Sequence, residues 1–257
     1  MPKTRMPVLF VGHGNPMNAI EDNEFSLAWS EAAKALPMPK AILCISAHWE
    51  TAGTKITAMD KPKTIHDFYG FPRELFAVEY PAAGSPDLVQ IVRKAIKMTE
   101  VQPDMEWGLD HGTWSVLKRM FPLADVPVVQ LSLDRTQPFE YHYQLGKQLK
   151  KLRDEDVLIL GSGNLVHNLR TVVFDDVAFD WAVDFDKRVS QWIMEDDHDP
   201  IIHYEKQGQS ALLSVNSGEH YLPLLYTLGL KESGEPVSFF ADKVWGGSLS
   251  MRSFRIG

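Results

Sequence analysis

Four histidines each follow a run with strand character: His13 in Gly12-His13-Gly14, His48 in Ala47-His48-Trp49, His167 in Gly163-Asn164-Leu165-Val166-His167, and His220 in Ser217-Gly218-Glu219-His220. In open α/β sheets, ligands bind beyond the carboxyl ends of the strands, so side chains delivered there converge even when far apart in sequence. Imidazole suits both zinc and iron, and a divalent ion needs three or four such ligands. One histidine at a strand end is more often a hydrogen-bonded structural residue. Four of them, each near Gly or Asn that leave room for close approach, point to a metal site.

His111 differs in context. It lies in Asp110-His111-Gly112-Thr113-Trp114, with no strand before it and a helical segment after it. Thr113 is the candidate cap. The position suits an acid–base or substrate-contacting group better than a metal ligand, and a histidine that merely caps or stacks at a helix start is the plainer alternative. His142 on a helical segment, His198 in an acidic run and His203 lack such context and read as surface residues. The segment Thr64 to Pro72 (TIHDFYGFP) gathers His66, Phe68, Tyr69 and Phe71 into the one long irregular stretch, Lys61 to Pro86. Such a stretch in a folded domain is either functional or poorly ordered.

The elements that must position these groups alternate along the chain. Pro7 to Gly12, Ala41 to Ala47, Val126 to Leu133 and Val157 to Gly163 are nearly continuous apolar runs, the pattern of strands covered on both faces. Ala211 to Val215 also reads as strand-like. Helical spacing appears from Phe25 to Leu36, from Pro86 to Met98 with Ser85 as cap, from Tyr141 to Leu152 and from Ala178 to Met194. Val237 to Ile256 reads as two strands joined near Gly246-Gly247. The alternation predicts one α/β domain over residues 1–257, with a mostly parallel or mixed central sheet flanked by helices and the metal site at the carboxyl edge of its strands.

Composition narrows the partners. The 257 residues are 44% hydrophobic and 23% charged, typical of a globular domain. Lys and Arg number 26 against 34 Asp and Glu, a net charge of −8. Nucleic acid and anionic membranes would repel such a chain. The densest basic stretch, Lys147, Lys150, Lys151 and Arg153, reads as one helix face. The single cysteine, Cys44, sits in an apolar run and reads as a small buried hydrophobe, consistent with a reducing compartment. Basic Lys3 and Arg5 precede an apolar run too short for a signal peptide, and no stretch has the length of a membrane span. The expectation is a cytoplasmic monomer or homodimer acting on a small molecule.

Seven segments in order carry a specific resemblance: GHGNPMNAI from Gly12, SAHWE from Ser46, TIHDFYGFP from Thr64, DHGTW from Asp110, GSGNLVHNLR from Gly161, EHYLPLLY from Glu219 and GSLSMRSF from Gly247. From near residue 6 to the C-terminus the chain resembles the 4,5-DOPA extradiol dioxygenases. These are class III extradiol ring-cleaving enzymes related to the catalytic subunit of protocatechuate 4,5-dioxygenase. The resemblance implies one divalent metal per chain, Fe(II) for catalysis, with a catechol and dioxygen as substrates. It implies His13, His48 and His220 as metal ligands. His167 matches a histidine that either completes a four-histidine site or stands beside it as acid–base group, and His111 one that contacts the catechol. His66, Phe68, Tyr69 and Phe71 would line or cover the aromatic pocket as a lid, with His66 or Asp67 meeting a polar substituent. A plug under the loop is the structural alternative.

The third ligand departs from relatives that act on aromatic acids, where a glutamate stands there. Here the chain reads Glu219-His220, and the family pattern favours His220. An imidazole set also suits Zn(II). Two other functions use the same residues: a zinc hydrolase, which needs no dioxygen, and a metal-binding protein without catalysis. A serine hydrolase fits poorly, since Gly161-Ser162-Gly163 is not a nucleophile elbow.

Overall fold

The computed structural model describes residues 5–257; Lys3 lies outside them. The strands are β1 (Val8–Gly12), β2 (Ala41–Thr51), β3 (Thr54–Thr57), β4 (Lys63–Thr64), β5 (Val101–Asp104), β6 (Gly108–Leu109), β7 (Val128–Asp134), β8 (Val157–Gly163), β9 (Val237–Phe240), β10 (Val244–Trp245), β11 (Leu249–Ser250) and β12 (Ser253–Ile256). The helices are α1 (Glu24–Lys34), α2 (Arg73–Phe76), α3 (Pro86–Ala95), α4 (His111–Met120), α5 (Phe139–Gln148), α6 (Asp180–Met194), α7 (Asp199–Ile202), α8 (Gln209–Ser214) and α9 (Leu222–Gly229).

Eight strands form one sheet in the order β5-β3-β7-β2-β8-β1-β12-β9. The central four, β7-β2-β8-β1, are parallel, and antiparallel β12 and β9 close one side. The sheet is therefore mixed, with a parallel centre. Alternate residues serve opposite faces. Val8, Phe10, Leu43, Ile45 and Ile159 pack against α3, α5, α6 and α9. Leu9, Val11, Ile42, Cys44, Leu158 and Leu160 pack against α1 and α4. Both faces of the central strands are covered, which is why their sequences run apolar without visible alternation. Cys44 is fully buried, and that burial pushes its thiol pKa well up, as for an inert core residue.

Local chemistry sets the helix starts. Ser85 accepts from Leu88 N–H before Pro86 opens α3. Asp110, not Thr113, caps α4: its carboxylate accepts from Thr113 N–H and from Ser46 Oγ, and Gln130 of β7 donates to it. Thr113 instead points inward and donates to Gln130 Oε1 at 2.8 Å.

Several expectations are corrected. β2 does not end before His48. It runs on to Thr51 through a bulge in which Ser46 to Trp49 face the single residue Ser132. Ala211 to Val215 is not a strand; Gln209–Ser214 is α8, with its Ala211 face buried against α6. The C-terminal segment makes four short strands rather than two. The Tyr141 to Leu152 helix breaks after Gln148 into a 3₁₀ turn over Lys150–Glu155. Arg153 is no surface residue. It is fully buried, donating to Met6 O and Leu230 O and paired with Glu235. His142 is also buried, its Nδ1 3.0 Å from Tyr226 Oη where α5 packs on α9. His198 is partly buried, with Nδ1 2.9 Å from Tyr143 Oη. The irregular Lys61 to Pro86 stretch contains β4 and α2. Among the described residues, no helix is long and apolar enough to cross a membrane.

Candidate active site

Three adjacent central strands, β2, β8 and β1, deliver their carboxyl ends to one place. His13 follows β1 directly, and its backbone N–H donates to Gly163 O at the end of β8 at 3.1 Å. The β2 bulge turns His48 toward it. His220 arrives from the segment before α9, where its carbonyl accepts from Asn164 N–H at 2.8 Å. Gly163 permits that approach, since a Cβ there would lie 2.1 Å from the His220 carbonyl oxygen. Gly112 does the same for α4: a Cβ there would lie 2.5 Å from Ser46 Oγ and 2.9 Å from His48 Cδ2.

The three rings form a nearly equilateral triangle, with centroid separations of 5.0 Å for His13–His48, 5.2 Å for His13–His220 and 5.0 Å for His48–His220. One nitrogen from each lies within 4.8 Å of the other two. Hydrogen bonding on the far side decides which nitrogen faces inward. Ser162 Oγ donates its only proton to Gly112 O at 2.6 Å, so toward His13 Nδ1, at 3.0 Å, it can only accept. His13 is therefore the Nδ1–H tautomer, and its Nε2 presents a lone pair. His48 Nδ1 lies 3.5 Å from Asp67 Oδ2, and His220 Nδ1 lies 3.0 Å from Glu219 Oε1. Three acceptors thus stand behind the ring nitrogens that face away from the centre, the arrangement that orients metal-binding imidazoles.

Electrostatics favours the neutral rings that a metal requires. Burial, then the neighbouring imidazoles, hold His13 and His220 well below the usual histidine range. Burial, and His111 close by, bring His48 down to about 3. These residues fit a divalent ion: His13 Nε2 and His48 Nε2 sit 3.1 Å apart, close to the roughly 3 Å between neighbouring nitrogens each about 2.0–2.1 Å from one ion. No carboxylate enters the triangle, because Glu219 lies behind His220.

His167 takes a separate position. Its ring stacks on that of His220 at 3.4 Å and 5°, and it groups with Glu219 and His220 rather than with His13 and His48. Burial lowers its pKa to about 4. His111 lies on the other side, 3.9 Å from the His48 ring centroid. Asp67 links the two: it accepts from His111 N–H at 2.9 Å and approaches His111 Nδ1 to 3.0 Å. Burial pushes the Asp67 carboxyl pKa up, but His111 and His48 outweigh it and hold it low.

A cavity of about 460 Å³ opens over these histidines, within the range of small-molecule sites. Asp67, Phe68, Tyr69 and Phe71 line it, so the aromatic loop does reach the site. His66 does not line it. Its Nε2 meets Val78 O at 2.9 Å, and its ring packs on Phe68, Phe76 and Trp114. Sequence reasoning missed Ser162 as the partner of His13. It also missed the opposite wall, Leu169, Val172, Phe174 and Trp245. Their only sequence signal was position, just after the His167 motif and beside Gly246-Gly247.

The family model for the catalytic LigB subunit of aromatic ring-opening dioxygenase matches residues 7–244. The chain belongs to that LigB family. It is an oxidoreductase, an aromatic ring-opening dioxygenase. This LigB chain is 45% identical to "4,5-DOPA dioxygenase extradiol" of Escherichia coli K12, over 100% of this chain and 97% of that protein. It is 35% identical to the Beta vulgaris protein of the same name, over 96% and 94%. A "Dioxygenase tasH" from Hapsidospora irregularis is 28% identical over 82% of this chain. The LigB fold described above also superposes on a crystal structure of an uncharacterized E. coli K12 protein with a TM-score of 0.86 at 42% identity, covering 98% of this chain and 100% of that one.

Proposed function

We propose that this protein is an extradiol dioxygenase that opens a catechol such as L-DOPA at its 4,5 bond, using Fe(II) held by His13, His48 and His220. The observation that carries the reading is the inward-facing set of three imidazole nitrogens, each ring backed by Ser162, Asp67 or Glu219. The names of the E. coli and Beta vulgaris relatives support L-DOPA as the substrate. The chemistry such an ion supplies is to gather diol and dioxygen in one coordination sphere and to lower the pKa of the diol hydroxyls. In the net reaction one ring C–C bond beside the diol breaks. Both atoms of dioxygen enter the product, a ring-opened semialdehyde acid.

The chain's own residues supply the rest. His167, held neutral with a pKa near 4, is a base for a catechol hydroxyl proton at neutral pH and can return that proton later as an acid. His111, fixed through its backbone by Asp67, contacts the substrate from the opposite side. Phe68, Tyr69 and Phe71 cover the ring and exclude water. Residues 1–257 act as one catalytic domain, as a monomer or homodimer. Anaerobic loading with Fe(II), then addition of L-DOPA and dioxygen, should give a yellow semialdehyde with one dioxygen consumed per ring opened. Loaded protein that leaves L-DOPA and simpler catechols intact would sink this reading.

A further inference from the structure

The cavity wall over the three histidines is aromatic, aliphatic and acidic. Phe68, Phe71, Phe174, Leu169 and Trp245 form its apolar part beside His111, His167 and Asn15, Asp67 contributes a carboxylate, and among the described residues no Lys or Arg lines it. Asp67 and Glu219, which sits directly behind His220, together carry two negative charges. A divalent ion on the histidines is matched in charge by these two carboxylates before any substrate arrives. An adjoining hollow of about 270 Å³ shares Asn15, Trp245 and Leu249 with the cavity and is bordered by Glu21 and Glu24. The cations near it are already engaged: Lys243 is held between Glu24 and Asp176, 2.8 Å from each, and Arg119 pairs with Asp22 at 2.7 Å while donating to Asn18 O. Among the described residues, a ring substituent pointing into that hollow therefore meets apolar side chains, the amides of Asn15, Asn18 and Asn23 or further carboxylates, and no lining cation. At the mouth, Tyr69 and Phe174 line the cavity while remaining 92% and 85% exposed.

We propose that this cavity selects catechols by the charge of the ring substituent, accepting uncharged, zwitterionic or cationic ones and turning away those that are net anionic. An anionic substituent would lose its hydration without gaining a cation, and would face like charge across a low-dielectric cleft. The net charge of −8 acts in the same direction during diffusional encounter. Discrimination of this kind arises from what the site repels as much as from what it attracts. The proposal rests on the ring-cleavage reading and adds to it which catechols enter.

The test uses three ligands of similar size: 4-ethylcatechol, 4-(2-aminoethyl)catechol and (3,4-dihydroxyphenyl)acetate. Binding to the 257-residue chain loaded with Zn(II), without dioxygen, is measured by calorimetry, so affinity is read independently of turnover. kcat/KM is then compared for the Fe(II) form. The acetate should bind at least about tenfold more weakly than 4-ethylcatechol, and the aminoethyl compound at least as tightly as 4-ethylcatechol. In Phe174→Arg, a change at an exposed position, the acetate should gain and the aminoethyl compound lose. An acetate bound within tenfold of the ethyl compound overturns the proposal, as does an unchanged ranking in Phe174→Arg. If all three bind with the expected ranking but none is cleaved by the Fe(II) form, charge selection stands and ring cleavage fails. If none binds, both fall.

Discussion

His13 and His48 turn their Nε2 atoms toward each other at 3.1 Å, and Ser162 fixes His13 with its proton on the far nitrogen. Asp67 behind His48 Nδ1 favours the same tautomer there. Two lone pairs that close repel, and a cation between them removes the conflict. His13→Ala and His48→Ala should therefore each lose stoichiometric metal by elemental analysis while keeping a native circular dichroism spectrum. Ser162→Ala should bind metal roughly 10–100-fold more weakly, because the ring then lacks its orienting partner. Full metal content in both histidine variants would place the site elsewhere.

His167 stacks on His220 outside the His13–His48–His220 triangle, a placement that fits the proposed role in proton transfer better than ligation. His167→Ala should keep its metal and lose about 10²–10⁴-fold in kcat. Metal loss in that variant would instead make His167 a ligand. His111→Phe should likewise keep the metal and lose most of kcat, with weaker catechol binding as a secondary effect. Wild-type turnover in His111→Phe would remove it from the mechanism.

The aromatic loop is divided between lid and plug. Tyr69 lines the cavity and is otherwise exposed, whereas His66 faces the protein and bonds Val78 O. Tyr69→Ala should raise KM and uncoupled dioxygen consumption, with Tm nearly unchanged. His66→Ala should lower stability by about 1–2 kcal/mol, with KM little altered. The reverse pattern, measured by chemical denaturation and steady-state kinetics, would reverse the assignment.

His142 predicts an acid limb in stability away from the active site. It is fully buried between α5 and α9, and burial lowers its pKa to about 4. The unfolded chain, with an ordinary histidine pKa of about 6.5, takes up this proton before the folded one does. Stability from this group is therefore complete above about pH 6.5 and is lost as pH falls toward 4. Between pH 7 and pH 5 it should account for about 1–2 kcal/mol. His142→Gln should be less stable at pH 7 yet show a shallower decline over that interval in urea titrations. An unchanged slope would mean that His142 titrates alike in both states.

Glu235 neutralises the fully buried Arg153. Glu235→Ala should cost about 2–4 kcal/mol, because the guanidinium keeps its buried position and loses its counter-charge. The measurement is the denaturation midpoint, and a loss below 1 kcal/mol would show that water replaces the carboxylate.

The central strands were legible in the sequence because burial on both faces leaves a continuous apolar run, and Val157–Gly163 stands in the structure with the bounds its sequence predicts. Of the candidate ligands, only His13 directly follows a strand; β2 runs on past His48 and a helix precedes His220, so the family motifs around each histidine, rather than strand ends, made these two legible. Three features lay beyond local pattern. The bulge that aims His48 depends on the pairing of β2 with β7, a partner some eighty residues away. Ala211 to Val215 has strand-like composition, but packing against α6 makes it a helix; a short apolar run has no preference strong enough to resist its surroundings. His142 read as a surface residue and Arg153 as part of one basic helix face because helical position is all that the local pattern shows, while their partners Tyr226 and Glu235 come from distant segments. Residue type and local spacing were enough for the parallel α/β centre, whereas for the metal site they offered four candidates, His13, His48, His167 and His220. Only the tertiary structure decided that three of them face one point while His167 stacks beside them, because ring orientation is set by Ser162, Asp67 and Glu219, two of them contributed by other segments of the chain.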